Sequence, residues 1–151
     1  MLEGQKILVT GATGKIAFPI ARALAANNEV WGVARLRGAA DRDRLAGAGI
    51  RPLALDLSGG DLSALPDDFG YVFHAAVDPG LHGWRQCVTT NAHNSGELLY
   101  HCRRARGFVF CSTGSIYAYQ GQRPLTESDP PGVPLRANYS FSKVAAESVC
   151  N

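Results

Sequence analysis

The strongest constraint on this chain is a glycine turn placed between two different hydrophobic periods. Lys6–Thr10 (KILVT) is a short apolar run that suits a strand buried on both faces. It leads directly into Thr10-Gly11-Ala12-Thr13-Gly14-Lys15-Ile16-Ala17. Beyond the turn, Ile16, Ala17, Ile20, Ala21 and Leu24 recur at helical spacing until Asn27 and Asn28 stop them. Pro19 falls inside that pattern, where it removes a donor and is expected to distort the helix near its first turns.

The alternation continues along the chain. Glu29–Ala34 (EVWGVA) reads as a second strand, residues 39–48 as a short helix and residues 50–55 as a third strand. Residues 58–68 are polar and turn-rich, and residues 71–75 (YVFHA) form a fourth strand. Residues 84–104 lack proline and fit one long helix, followed by a fifth strand at 107–111 (GFVFC). Proline and turn residues make 121–136 a surface loop, and a helix is expected from Tyr139 to Cys150. Strands alternating with helices predict an α/β fold, a doubly wound parallel sheet of the Rossmann type built by right-handed crossovers. Residues 1–151 are expected to form one domain, with no internal repeat.

Composition closes off other classes. Apolar residues at 46% and charged residues at 19% belong to a globular chain rather than a disordered one. A net charge of +2 is too small to point to nucleic acid or an anionic membrane. The arginines between positions 35 and 51 are interrupted by Asp41 and Asp43, as on a solvated surface. No apolar run approaches the roughly 18 residues of a membrane span, and the N-terminus lacks a signal peptide's apolar stretch. Cys87, Cys102, Cys111 and Cys150 form no CxxC pair, and Cys111 sits in an apolar run that suits a reduced, buried thiol. A cytoplasmic protein is expected. His74, His82, His93 and His101 show no metal-ligand spacing, so no metal site is expected.

A glycine turn between strand and helix lets the backbone approach a pyrophosphate, and the helix N-terminus supplies free N–H groups and a positive dipole. A plain glycine turn is the alternative. The wording TGxxGxx[GA] over Gly11, Ala12, Thr13, Gly14, Lys15, Ile16 and Ala17 resembles the cofactor fingerprint of extended short-chain dehydrogenases/reductases, the NAD-dependent epimerase/dehydratase family. Ala17 stands where the third glycine is usual, a position that governs helix–strand packing more than phosphate contact. At the end of the second strand, where an acidic residue would favour NAD, the chain reads Val33-Ala34-Arg35, with Arg37 following. A guanidinium pairs well with a 2′-phosphate, so NADP is expected, with NAD as the alternative. Otherwise Arg35 covers the adenine face or stays in solvent. The resemblance places Asp56 and Leu57 near the adenine amino group; a turn cap is the other reading of Asp56. It likewise makes Ala75 and Ala76 cofactor-lining, while His74 either lines the site or is satisfied within the loop.

Tyr139-Ser140-Phe141-Ser142-Lys143 is a Tyr-x-x-x-Lys pair whose two ends share a helix face. Free tyrosine titrates near pH 10, too high for a base at neutral pH, and a nearby ammonium favours phenolate. An exposed helix face would carry the same spacing. Upstream, Cys111-Ser112-Thr113-Gly114-Ser115-Ile116-Tyr117 resembles that family's S-[ST]-x-x-x-[VI]-Y segment, and the Pro124 to Pro130 stretch and Asn138-Tyr139-Ser140 fit its pattern. By this match Thr113 takes the hydroxyl role on the substrate oxygen, with Ser112 the adjacent alternative. Asn91, cofactor-binding by the same resemblance, heads a segment like N-x-x-G-[ST]-x-x-L-L, although Asn94 replaces its glycine.

The resemblance spans essentially the whole chain. It implies an NAD(P)-dependent oxidoreductase, epimerase or dehydratase acting by hydride transfer on a sugar-like substrate, in particular a nucleotide sugar. Tyr139 would move the hydroxyl proton, Thr113 would orient the oxygen, and Lys143 would hold the nicotinamide ribose and depress the tyrosine pKa. A homodimer is implied for the intact protein. Members of this family run on well beyond this length, with further strands and a small C-terminal substrate domain. The chain is therefore expected to be a fragment, or only part of the native protein, ending within the catalytic helix and inactive on its own. The rival from another class is a non-catalytic NADP-binding regulatory module, which would have no reason to keep Tyr139, Lys143 and Thr113 together.

Overall fold

The computed structural model describes residues 2–80, 83–132 and 137–151. Strands β1 (Lys6–Thr10), β2 (Glu29–Ala34), β3 (Arg51–Ala54), β4 (Tyr71–His74) and β5 (Gly107–Phe110) form one parallel sheet in the order β3-β2-β1-β4-β5. This is the doubly wound arrangement expected from the alternation. The strand order reverses between β1 and β4, so their C-terminal ends part and leave a crevice there. The register sets Val33, Thr10, His74 and Phe110 side by side along that end of the sheet.

The alternation of β1 divides the core. Ile7 and Val9 pack with Ala17 and Ala21 of helix α1 (Ala17–Ala25), Leu45 of helix α2 (Ala39–Gly47) and Ile50. Leu8 faces the other way, onto Val33, Phe69, Val72 and Leu98. Each buried Val, Leu, Ile or Phe among these contributes about 1.5–3 kcal/mol by leaving water. Space over β2 is tight as well: a Cβ on Gly32 would stand 2.7 Å from Ile50 Cγ2 and 3.0 Å from Ala12 Cβ.

Helix α1 tolerates Pro19 because its first helical residue is Ala17. Proline then occupies the first turn, where its missing N–H would have no intrahelical partner. The long helix expected over 84–104 is divided. Helix α3 (Gly83–Val88) passes through a π-helical segment, Thr89–His93, into α4 (Asn94–His101). Two threonines and an asparagine are weak helix formers, and Ser95 Oγ donates to the Asn91 carbonyl at 2.7 Å, helping to hold the widened turn.

Residues 57–59 form a short 3₁₀ turn at the start of the polar stretch, and residues 114–116 form another after β5. The loop expected at 121–136 is tied down at one point by an antiparallel bridge between Tyr117 and Pro131. Its residues 133–136, and His82, lie outside the described residues. Helix α5 (Asn138–Cys150) packs on α3 and α4. Cys87 and Cys102 are buried, whereas Cys111 is only half-buried at the strand end; all four thiols are free. Among the described residues, no helix is long and apolar enough to cross a membrane.

Gly32→Ala forces a methyl against Ile50 and Ala12. It should cost about 1–3 kcal/mol of stability by overpacking, measured as a drop in the urea unfolding midpoint. An unchanged midpoint would contradict the packing described.

Candidate functional site

The crevice between β1 and β4 opens into a cleft of about 890 Å³. Of the residues singled out in the sequence, Gly11, Thr13, Gly14, Arg35, Asp56, Leu57, Ala75 and Ala76 line it together. Gly11 has φ +66°, and a Cβ there would lie 2.9 Å from both the Ala75 carbonyl oxygen and the Ala76 nitrogen. Only glycine fits that gap. Gly14 N–H donates to the Gly11 carbonyl at 2.8 Å and closes the turn. The amides of Thr13, Lys15 and Ile16, just ahead of α1, bond to no acceptor among the described residues. Unclaimed N–H groups at a helix N-terminus make an anion site.

The floor of this cleft is built by side chains rather than by the glycines alone. The Ala75 and Ala76 amides both donate to Thr10 Oγ1 at 3.1 Å. They are therefore spent inside the protein, and these two residues offer a ligand their methyls and carbonyls. Thr10 Oγ1 lies 2.6 Å from His74 Nδ1, and His74 Nε2 lies 2.8 Å from Ser95 Oγ. His74 is thus satisfied by strand and helix neighbours, not within the loop. Burial, reinforced by the Lys143 charge, pushes its pKa down to about 3.

At the far end of the cleft, Arg35 and Arg37 are exposed and make no ion pair within 4 Å among the described residues. Leu36 between them has φ +40°, a strained value for a leucine. Asp56 does cap the turn that follows: its Oδ1 accepts from Ser58 N at 3.0 Å and Ser58 Oγ at 2.7 Å. The Ser58 hydroxyl, aided by the Ser58 amide and the charges of Arg35 and Arg37, holds this carboxyl below the usual range despite some desolvation. Asp56 lines the cleft as well, so the cap and the ligand-facing position coincide.

The side chains of five expected cofactor residues, Ala12, Lys15, Ile16, Asn91 and Lys143, do not line the cleft. Ala12 is completely buried under β2, donating its N–H to Val33 at 3.2 Å. Lys15 and Ile16 sit at the helix entrance with exposed side chains and unbonded amides. Asn91 is held away from the cleft. Its side chain is buried and spent: Oδ1 accepts from Asp78 N at 2.7 Å, while Nδ2 donates to Asp78 O at 2.8 Å and Ser142 Oγ at 2.9 Å. It staples the β4–α3 loop to α5 and reaches the cleft lining through Asp78.

Lys143 lies behind the strand end. Its ammonium is buried, donates to the Cys111 carbonyl at 2.6 Å and lies 3.8 Å above the Phe110 ring. No hydrogen bond joins it to Tyr139 among the described residues. Desolvation lowers its pKa to about 8, against the opposing pull of Cys111, Cys150 and Glu147. Tyr139 is half-buried beside Gly80, and its hydroxyl makes no hydrogen bond among the described residues. Thr113 Oγ1 accepts from Ser115 N at 3.3 Å and lies 3.2 Å from Ser115 Oγ, which in turn accepts from Ser140 Oγ at 3.0 Å. Ser112 Oγ is buried without a partner among the described residues.

Sequence reasoning missed Leu36, Asp41, Ser58, Gln86 and Thr90 as lining residues. The one available signal was Thr10 and His74, two polar residues at the ends of apolar runs, which mark adjacent strand ends.

The family model described as NAD dependent epimerase/dehydratase family matches residues 7–151. Among solved structures, UDP-glucuronic acid 4-epimerase from Bacillus cereus in complex with NAD is 30% identical, with a TM-score of 0.80 over 96% of this chain and 51% of that one. The UDP-Glc/GlcNAc 4-epimerase of Campylobacter jejuni is 25% identical, with a TM-score of 0.79 over 97% of this chain and 48% of that one. The UDP-N-acetylglucosamine 4-epimerase of Methanobrevibacter ruminantium M1, at 23% identity and a TM-score of 0.82, shares the fold over 97% of this chain and 49% of its own. The chain thus spans about half the length of these structures. No match was found among curated proteins.

The buried, neutral His74 makes stability fall in acid. Its folded pKa lies below the ordinary 6.5, so between pH 6.5 and about 3 the unfolded chain holds a proton that the folded one refuses. By pH 5 this group removes about 2 kcal/mol. His74→Asn, which takes up no proton, should lose about that much less stability than the parent between pH 8 and pH 5 in urea titrations. Equal losses would contradict the assignment.

Proposed function

The chain belongs to the NAD dependent epimerase/dehydratase family, and on that premise we propose that it binds a nicotinamide dinucleotide in the β1/β4 cleft and serves hydride-transfer chemistry on a nucleotide sugar. The observation that carries this reading is the trio of unclaimed amides at Thr13, Lys15 and Ile16, set beside a gap at Gly11 that a single Cβ would fill. That cradle suits a pyrophosphate. Residues 1–151 act as one NAD(P)-binding domain in this reading.

A bound nicotinamide supplies reversible hydride exchange. Gly11, Thr13 and Gly14 take the pyrophosphate, Asp56 and Leu57 the adenine end, and Ala75 and Ala76 the wall beside it. The exposed guanidiniums of Arg35 and Arg37 at the ribose end suit a 2′-phosphate, so NADP is preferred over the NAD that the Bacillus cereus structure contains. Tyr139 holds and moves the proton of the reacting hydroxyl, and Thr113 orients that oxygen. Lys143 leaves the Cys111 carbonyl for the ribose once a ligand competes for its ammonium. UDP-sugars, the substrates named for the solved relatives, are the class to test.

A second copy of the chain is also proposed to cover the face where Trp84, Tyr100, Phe141 and Val149 are 47–68% exposed, with the Trp84 and Phe141 rings 4.8 Å apart. Sedimentation should show a dimer; a strict monomer would remove this part.

Titration should show NADPH binding more tightly than NADH, and Arg35→Ala should erase the difference. Equal affinities in the parent would remove the role of Arg35. In the intact protein, assayed for UDP-sugar turnover, Tyr139→Phe should reduce the rate by roughly 10²–10⁴-fold while leaving dinucleotide affinity nearly intact. Persistent turnover would exclude Tyr139 from the chemistry.

A further inference from the structure

His74 lies 3% exposed at the end of β4 and has no part in the chemistry above, yet both of its ring nitrogens are bonded. The protons along this chain can be assigned. Ser95 Oγ donates to the Asn91 carbonyl at 2.7 Å, so toward His74 it acts as acceptor, and Nε2 carries the ring proton. Nδ1 is then a lone pair, and it accepts from Thr10 Oγ1 at 2.6 Å. Having donated its only proton, Thr10 Oγ1 turns its lone pairs to the Ala75 and Ala76 amides, 3.1 Å away each. One arrangement satisfies every member.

We propose that His74 is a positioning residue for the dinucleotide: its Nε2-protonated tautomer aims Thr10 Oγ1 at the Ala75 and Ala76 amides and so holds that cleft wall against Gly11. The tolerance there is small, since the wall already lies 2.9 Å from where a Gly11 Cβ would be. A shift of a few tenths of an ångström would close the cradle or open it. The surroundings keep the ring neutral. Its neighbours are Thr10, Ser95 and the Phe108 and Phe110 rings, with the Lys143 ammonium over the same Phe110 ring. A second ring proton would meet the Thr10 hydroxyl proton head-on. This inference rests on the dinucleotide reading of the cleft.

The test compares NADPH affinity in the parent chain, His74→Phe and His74→Asn, each verified as folded by its unfolding midpoint. Phenylalanine keeps the ring and removes both bonds; the asparagine carbonyl reproduces the acceptor of Nδ1. His74→Phe should bind roughly tenfold more weakly, the equivalent of one lost buried hydrogen bond. His74→Asn should recover most of that loss, which a purely volume-filling role would not produce. Parental affinity in a folded His74→Phe overturns the proposal and leaves the cofactor reading intact. A parent chain that binds no dinucleotide overturns both. Should His74→Phe fail to fold, ¹⁵N spectra of the parent imidazole decide: the neutral Nε2-protonated tautomer is expected, and an Nδ1-protonated ring overturns the assignment.

Discussion

One hydroxyl, Thr10 Oγ1, is the point on which the functional end of this molecule turns. It stands at the last residue of the central strand, accepts from two amides at the end of the neighbouring strand and donates to a buried imidazole. The topology makes this contact possible, because β1 and β4 are adjacent and in register while their connections leave on opposite faces of the sheet. Remove the hydroxyl and two amides lose their acceptor at the point where Gly11 must pass the Ala75–Ala76 peptide with no room for a Cβ.

From there the polar order spreads into the helical side. His74 leads to Ser95, Ser95 to the Asn91 carbonyl in the π-helical turn, and the Asn91 side chain to Asp78 and Ser142. Ser142 Oγ donates to the Tyr139 carbonyl at 2.7 Å, one residue ahead of Lys143. The cleft and the start of α5 are therefore joined by one chain of hydrogen bonds, buried in its middle and part-buried at both ends, not by apolar packing alone. Such networks rigidify a site when every member is satisfied. The exception is Ser112 Oγ, buried and unpartnered beside Thr113.

The sequence disclosed the frame because strand and helix periods differ so plainly here. The strands at Lys6–Thr10 and Glu29–Ala34 are found as expected, the other three are each one or two residues shorter, and the glycine turn opens the cleft. What was hidden depends on contacts between distant segments. The helix over 84–104 carries no proline, and the weak helix formers Thr89, Thr90 and Asn91 alone did not announce the π-helical turn that Ser95 helps to hold. Asn91 resembled a cofactor residue by position, while its actual partners, Asp78 and Ser142, are set by tertiary packing. The i, i+4 spacing of Tyr139 and Lys143 correctly put both on α5 but could not show that the ammonium turns to the Cys111 carbonyl. The left-handed Leu36 between two arginines has no sequence signature, since leucine rarely adopts that conformation.

The central claim is that the free amides ahead of α1 receive the pyrophosphate of a nicotinamide dinucleotide. Titrating the ¹⁵N-labelled chain with NADPH and following its backbone amide resonances tests this residue by residue. The largest shifts should fall on Thr13, Lys15 and Ile16, with Ala75 and Ala76 moving less because their amides are already bonded to Thr10. Shifts confined to another face of the sheet, or no shifts at saturating NADPH and NADH, would contradict the account.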